Sequence, residues 1–263
     1  TFFVIASLTL FLAACGQSDE PAVVAVPEVA APEVSETPMQ SSAAAGELLI
    51  DYIWNNTADD MTEAQMAGII DGWNARIDAG GYNMLGANVL MPQFETDDYD
   101  LIWVVMWPSS EAREAGWADW NANQVDDWSA ELAGAMSYEP ENVYTFKPAG
   151  GHDGMADIAV GGTFHPRFDF CSFNEGQDAA SLTAFRAEYD ASLLEGESNN
   201  YGYYLMEPQF DLADADFVWL DLFGDEAALE AGTASWSGSA LEASWEAMAT
   251  CQNFAFLATA IRR

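Results

Sequence analysis

The chain has 263 residues, and 43 Asp and Glu face only seven Lys and Arg, a formal charge of −36. Half of the residues are apolar, enough for a sizeable core. The charge balance excludes recognition of a phosphate backbone, which needs Lys and Arg, and docking on anionic lipid through a basic patch. Solubility, with self-repulsion screened by salt, explains the acidity, and no Asp-rich loop has the spacing of a helix-loop-helix calcium site.

Residues Thr1 to Ala14 are apolar or small and uncharged, and they end in Leu12-Ala13-Ala14-Cys15-Gly16. The run is shorter than the roughly 20 residues of a membrane span. It has the character of the apolar core of an export signal whose start is missing. The tetrapeptide ending in Cys15 resembles the bacterial lipobox. That resemblance implies a signal over 1–15, lipid on Cys15, and an exported chain anchored in the cell envelope. Gly16, rather than Asp, after the Cys implies the outer membrane. From 16 to 46, Pro21, Pro27, Pro32 and Pro38 punctuate Ala, Val, Glu and Ser without periodicity. This composition predicts a disordered tether, spanning roughly 30 Å as a coil.

Leu49 to Trp54, rich in branched and aromatic side chains, predicts a strand. Met61 to Ala79 has helical spacing, with Met66, Ile69, Ile70 and Trp73 on one side, Thr62 or Asp60 as cap, and Gly80-Gly81 as stop. Strands follow at Met84 to Met91 and Leu101 to Trp107. A helix opens at Ser109-Ser110, and Val143 to Phe146 closes the unit. The order strand, helix, strand, strand, helix, strand is the ferredoxin-like arrangement.

The chain then repeats itself. Pro92-Gln93-Phe94 returns as Pro208-Gln209-Phe210, and from there to Trp120 and Trp236 twelve of 29 positions are identical at a constant offset of 116. Chance would give roughly two. The second unit reads Phe168 to Phe173, helix Ala179 to Leu194, Tyr201 to Glu207, Phe217 to Phe223, a helix opening at Glu226 to Ala231, and Phe254 to Leu257. Asn55 matches Asn174, just after the first strand in each unit. The predicted organisation is 47–148, a Gly-rich connector over 149–162, and 163–263.

Leu101 to Trp107 is apolar at every position, so both faces of that strand must be covered. Helices cover one face, and the other unit's sheet is the natural cover for the second. In this order and duplication the chain resembles the dimeric α+β barrel superfamily. The resemblance implies two ferredoxin-like units packed sheet to sheet within one chain, as an internal pseudo-dimer and a monomer overall. Two such domains side by side, without a shared barrel, are the alternative.

Alternation places Trp103, Val105 and Trp107 on one face and Trp219, Asp221 and Phe223 on its equivalent. If that face lines the barrel, Asp221 is a carboxylate among rings, which needs a partner or a raised pKa. Asp221 is thus the candidate acid or base. Trp103, Trp107, Trp219, Phe223, Gln93 and Gln209 are the candidate ligand contacts. The Pro-Gln-Phe strings also suit strand ends whose aromatic plugs the rim, and Asp98, Asp100, Asp214 and Asp216 suit turns. His152 and His165 lack neighbours at metal-ligand spacing, so the pattern predicts no metal site and no cofactor. Haem is bound by some members of the superfamily and would need one of these two histidines. Neither histidine falls on a predicted strand. Cys171 and Cys251 fall on antiparallel neighbouring strands, which suits a structural disulfide in an oxidising compartment; a reactive thiol pair is the rival. Three functions remain open: a binder of a small, largely apolar molecule in or near the barrel, an enzyme like the monooxygenases and isomerases of this fold, and a structural or protein-binding module of the envelope.

Overall fold

The computed structural model describes residues 47–195 and 200–263. The segment 1–15 predicted as export signal, with Cys15, and the whole predicted tether 16–46 lie outside the described residues. The first half contains β1 (Leu49–Thr57), α1 (Glu63–Gly80), β2 (Gly86–Pro92), β3 (Leu101–Trp107), α2 (Ser110–Asn123), α3 (Val125–Leu132), the short β4 (Met136–Ser137) and β5 (Val143–His152). The second contains β6 (Thr163–Phe173), α4 (Ala179–Glu195), β7 (Tyr201–Pro208), β8 (Phe217–Phe223), α5 (Glu226–Trp236), α6 (Ala240–Met248) and β9 (Ala249–Arg262). Local chemistry sets several boundaries. Thr62 and Gln65 form a reciprocal capping box on α1, and Gly81 ends that helix in the left-handed conformation at φ 64°, where glycine carries no side-chain penalty. Ser109 caps α2 and Asp225, 116 residues on, caps α5.

Each half forms an antiparallel sheet, β5-β1-β3-β2 and β9-β6-β8-β7. The halves meet at two seams. β2 pairs with β9 and β5 with β7, so eight strands close into one barrel. Closure leaves neither sheet an edge to protect along these seams. The fold is therefore α+β, two ferredoxin-like βαββαβ halves sharing a single barrel.

Strand alternation divides the core into three layers. Ile50, Tyr52, Ile102, Val104, Phe168, Val218 and Leu220 pack inside the barrel. Leu49, Ile53, Leu101, Trp103, Val105 and Trp107 pack under the helices of the first half. Tyr201, Tyr203, Phe217, Trp219 and Phe223 do so in the second. The third strand is covered on both faces, as its composition demands.

Three local expectations are corrected. The second helix of each half is broken in two, in the second half across Ser237–Ser239 where Gly238 adopts φ 75°. Residues 149–152 belong to β5, because Gly151 and His152 pair with Tyr204 and Tyr203. The sheet register makes Cys171, not Asn174, the counterpart of Asn55, since β1–β3 and β6–β8 superpose at the same offset of 116.

Candidate functional site

The face carrying Trp103, Val105, Trp107, Trp219, Asp221 and Phe223 points at the helices, not into the barrel. The inward residues of these strands are Ile102, Val104, Val218 and Leu220. Both faces are apolar, so alternation separates the two sets without saying which is inside. Gln93 and Gln209 are exposed and turn back on their own strands. Gln93 Nε2 donates to the Met91 carbonyl at 3.3 Å and Gln209 Nε2 to the Glu207 carbonyl at 3.2 Å. Their backbone N–H groups donate across the seams, to Ala255 O and Thr145 O, each at 2.9 Å. The neighbouring Phe94 and Phe210 enter the barrel end. Asp100 and Asp216 do turn chemistry at matching places, accepting from the backbone N–H of Thr57 at 2.6 Å and of Phe173 at 2.7 Å. His165 lies on β6 and His152 ends β5, so both histidines are on strands.

Beneath the helices the two halves differ. In the first, Asp51 is fully buried on β1. Trp107 Nε1, Trp117 Nε1, Arg113 Nε and Thr145 Oγ1 donate to it at 2.7–2.9 Å. With its charge paired and its oxygens occupied, Asp51 is a structural anchor. Indoles fill the remaining space, and only about 60 Å³ is left.

In the second half, Arg167 stands where Asp51 would be, Asp169 replaces Ile53, Asp221 replaces Val105 and Thr233 replaces Trp117. Loss of that indole helps leave a cleft of about 580 Å³ between the sheet and helices α4, α5 and α6. Phe185, Tyr189, Trp219, Trp236 and Trp245 supply its aromatic wall, and Arg167, Asp169 and Asp221 its charged floor. Asp221 is 3 % exposed and accepts from Arg167 Nη2, from the Tyr201 hydroxyl at 2.6 Å and from Trp219 Nε1 at 2.8 Å. The Tyr189 hydroxyl donates in turn to that of Tyr201 at 2.8 Å. Burial pushes the Tyr201 phenol well above its ordinary pKa, and the neighbouring Asp221 charge pushes the same way, so Tyr201 remains a donor.

Strand periodicity alone did not single out Asp169. It is 4 % exposed and accepts from Asn253 Nδ2. Arg167 Nε lies 3.8 Å from its Oδ2, too far for a hydrogen bond. Burial raises the Asp169 carboxyl to about 6; the Asp221 charge adds to this, while Arg167 and Asn253 oppose it. Arg167 Nε itself is buried and has no hydrogen-bond partner among the described residues. The clue was present in the sequence: Phe168-Asp169-Phe170 sets a carboxylate inside an aromatic strand, as Ile50-Asp51-Tyr52 does. The arrangement joins a carboxylate that burial raises to about 6, a cationic donor without a partner among the described residues and a largely aromatic wall, features found together at sites of proton transfer. Among the described residues no histidine lines the cleft, so haem would find no imidazole ligand there. Cys171 and Cys251 are register partners on β6 and β9, with Cα atoms 4.1 Å apart and their sulfurs joined.

The fold and its closed barrel are those of the dimeric α+β barrel proteins. No family model matches the chain, and no curated protein does. Among solved structures it is similar to an anthrone oxidase-like protein, at TM-score 0.50 and 14 % identity over 83 % of this chain and 93 % of the other. A provisionally named monooxygenase of Fusobacterium nucleatum subsp. nucleatum gives TM-score 0.55 and 8 % identity, over 82 % and 93 %. A provisionally named chlorite dismutase gives 0.50 and 10 %, over 81 % and 94 %. At these identities the likeness is one of fold.

Proposed function

We propose that the second-half cleft binds a small, largely apolar aromatic molecule and removes a proton from it. Asp169 acts as general base, and Arg167 Nε donates to the oxyanion that develops. The observation that carries this reading is the pairing of Asp169, ionising near pH 6, with a buried guanidinium N–H that has no other partner among the described residues. Asp221, the acid or base expected from strand alternation, is occupied by three donors and becomes a positioning residue that holds Arg167. Of the indoles expected to touch a ligand, Trp219 lines this cleft, whereas Trp103 and Trp107 line its filled counterpart.

Anthrone is a suitable probe, because its methylene is acidified by a ketone and because one structural neighbour is described as anthrone oxidase-like. Asp169 would take the methylene proton, the enolate would reduce dioxygen, and the sum is anthrone plus O₂ to anthraquinone plus water. The measurement is anthraquinone formation by absorbance against pH. The rate should rise through about pH 6, and Asp169→Asn should lower it by about 10²–10⁴-fold. A rate equal to the uncatalysed one, or unchanged in Asp169→Asn, would remove the proposal.

The address forms part of the same reading. The string ending in Cys15 supports an exported lipoprotein tethered to the envelope, and Gly16 after it supports the outer membrane; the internal pseudo-dimer supports a monomer, and the charge of −36 a chain that binds no nucleic acid. The identities at offset 116 support descent of the two halves from a duplication, and export supports an oxidised Cys171–Cys251 pair. Mass spectrometry of the mature N-terminus should find lipid on Cys15. Non-reducing peptide mapping should find the Cys171 and Cys251 peptides joined.

A further inference from the structure

The barrel interior holds a second cavity, of about 530 Å³, on the opposite side of the sheet from the cleft. Eleven of its lining residues are Phe, Tyr or Trp, and none is Lys, Arg or His. The rings pack edge to face: Tyr52 on Phe146 and Phe168, Phe94 on Phe254 and Phe256, Phe146 on Phe210. Both halves contribute, and matching positions supply Trp54 with Phe170 and Phe94 with Phe210. The only charged residues in the lining are Asp98 and Asp214, themselves a matched pair. Both are exposed, and neither carboxylate is hydrogen-bonded or ion-paired among the described residues. Deep in the wall, Tyr52 is 7 % exposed. Its hydroxyl likewise meets no hydrogen-bond partner among the described residues, and burial alone raises its pKa.

A cavity that selected merely for apolarity would not need two carboxylates in its lining, and an anion would be repelled by them. Ring faces are negative, and they attract a cation that sheds its water. The wall and the two carboxylates therefore favour the same sign of charge. A chain of net charge −36 also concentrates cations around itself. The apolar volume calls for a hydrophobic body attached to that charge.

We infer that this barrel cavity is a binding site for an amphiphilic organic cation, of the alkylammonium class, whose head meets the rings beside Asp98 and Asp214. The site lies on the other face of the sheet from the cleft, with Thr250 and Cys251 of β9 bordering both, and does not depend on the cleft's chemistry.

The test uses hexyltrimethylammonium and 1-octanol, a cation and a neutral alcohol; the longer chain is on the alcohol, so apolar burial cannot favour the cation. Binding to the full chain is followed by titration calorimetry, with NMR shifts of the aromatic rings to locate the ligand. Hexyltrimethylammonium should bind at least about tenfold more tightly than 1-octanol, the equivalent of about 1.4 kcal/mol. The preference should shrink in high salt and in the Asp98→Asn/Asp214→Asn double variant, whose exposed positions leave folding intact by circular dichroism. A Trp54→Leu variant should weaken the cation more than the alcohol, because it removes a ring face. Asp169→Asn should leave cation binding unchanged, which separates this site from the cleft. Equal or tighter binding of 1-octanol would mean a purely apolar cavity and overturn the inference. So would failure of the cation to bind, or a preference untouched by the double variant.

Discussion

Three buried aspartates show how one chemical group acquires different roles. Asp51 has Arg113, two indoles and a threonine hydroxyl around it. Truncating Arg113 to Ala would leave that carboxylate buried without its counter-charge, so Arg113→Ala should lose about 3–5 kcal/mol in urea unfolding. A loss under about 1 kcal/mol, the scale of a single ordinary hydrogen bond, would mean that the indoles and Thr145 satisfy Asp51 unaided. Asp221 shares its guanidinium with Asp169, which is left poorly compensated. The sign of the pH dependence follows. The folded-state pKa of Asp169, about 6, lies above the unfolded value of about 3.9. The native state therefore holds the proton more tightly, and its contribution to stability is complete below about pH 4 and lost as pH rises through 6. Its upper bound is about 3 kcal/mol, from roughly two pKa units. Asp169→Asn cannot titrate, so its stability relative to the natural chain should improve between pH 4 and 7. A constant difference between the two unfolding midpoints across that range would show that Asp169 ionises normally. None of these roles could be read from residue type. Asp51, Asp169 and Asp221 all interrupt apolar strands alike, and what distinguishes them is how closely a guanidinium and other donors reach each.

At the scale of the element, the sequence was most legible where one strand had to satisfy two layers. Leu101 to Trp107 and Phe217 to Phe223 have the predicted bounds because apolar runs flanked by turn residues leave little latitude. Facing was not legible, since β3 is equally apolar inward and outward, and only the helices reveal which set of side chains they cover. One repeated pair shows how the helices are seated. Gly116 on α2 and Gly232 on α5 lie where a Cβ would come within 2.5 Å of the Trp107 ring and 2.6 Å of the Phe223 ring. Neither glycine has positive φ, so the constraint is contact distance and not backbone conformation. The helix approaches the last residue of the third strand closely in each half, and the ring takes up the space that a Cβ would need. Gly116→Ala should cost about 1–3 kcal/mol through overpacking, partly offset by the roughly 1 kcal/mol that helix propensity gains when Gly becomes Ala. Gly232→Ala should cost less, because its Cβ would meet a single Phe223 ring atom closer than 3 Å, where that of Gly116→Ala would meet two of the Trp107 indole. Thermal unfolding of the two variants measures this order directly, and the reverse order would mean that the Phe223 ring gives way less readily than the indole.

For the whole molecule, the identities at offset 116 were visible, but the seams were not. Pairing of β2 with β9 and of β5 with β7 links strands more than 50 residues apart, and no local pattern announces them. The signature at the seam is the repeated Pro-Gln-Phe. In each half Pro ends the paired run, the Gln N–H donates across to the other half, and Phe turns into the barrel. A half taken alone would expose the free edges of β2 and β5 together with the inward face of Ile50, Tyr52, Ile102 and Val104. Open apolar edges recruit further strands, and the edges in question are already complementary: β2 of one copy meets, in β5 of another, the counterpart of β9. Residues 47–152 produced alone should therefore form a two-fold dimer that rebuilds the barrel from identical halves. Failing that, they should aggregate. Sedimentation velocity distinguishes the outcomes, and a stable soluble monomer of that segment would show that each half buries enough surface by itself and that the shared barrel is not what holds the fold together. The same measurement bears on the cavity within. A homodimer of first halves would place Asp98 and its copy in the lining where Asp98 and Asp214 now stand. It should keep the preference for hexyltrimethylammonium while lacking the cleft altogether, because the first half carries the filled, Asp51-anchored version of that space.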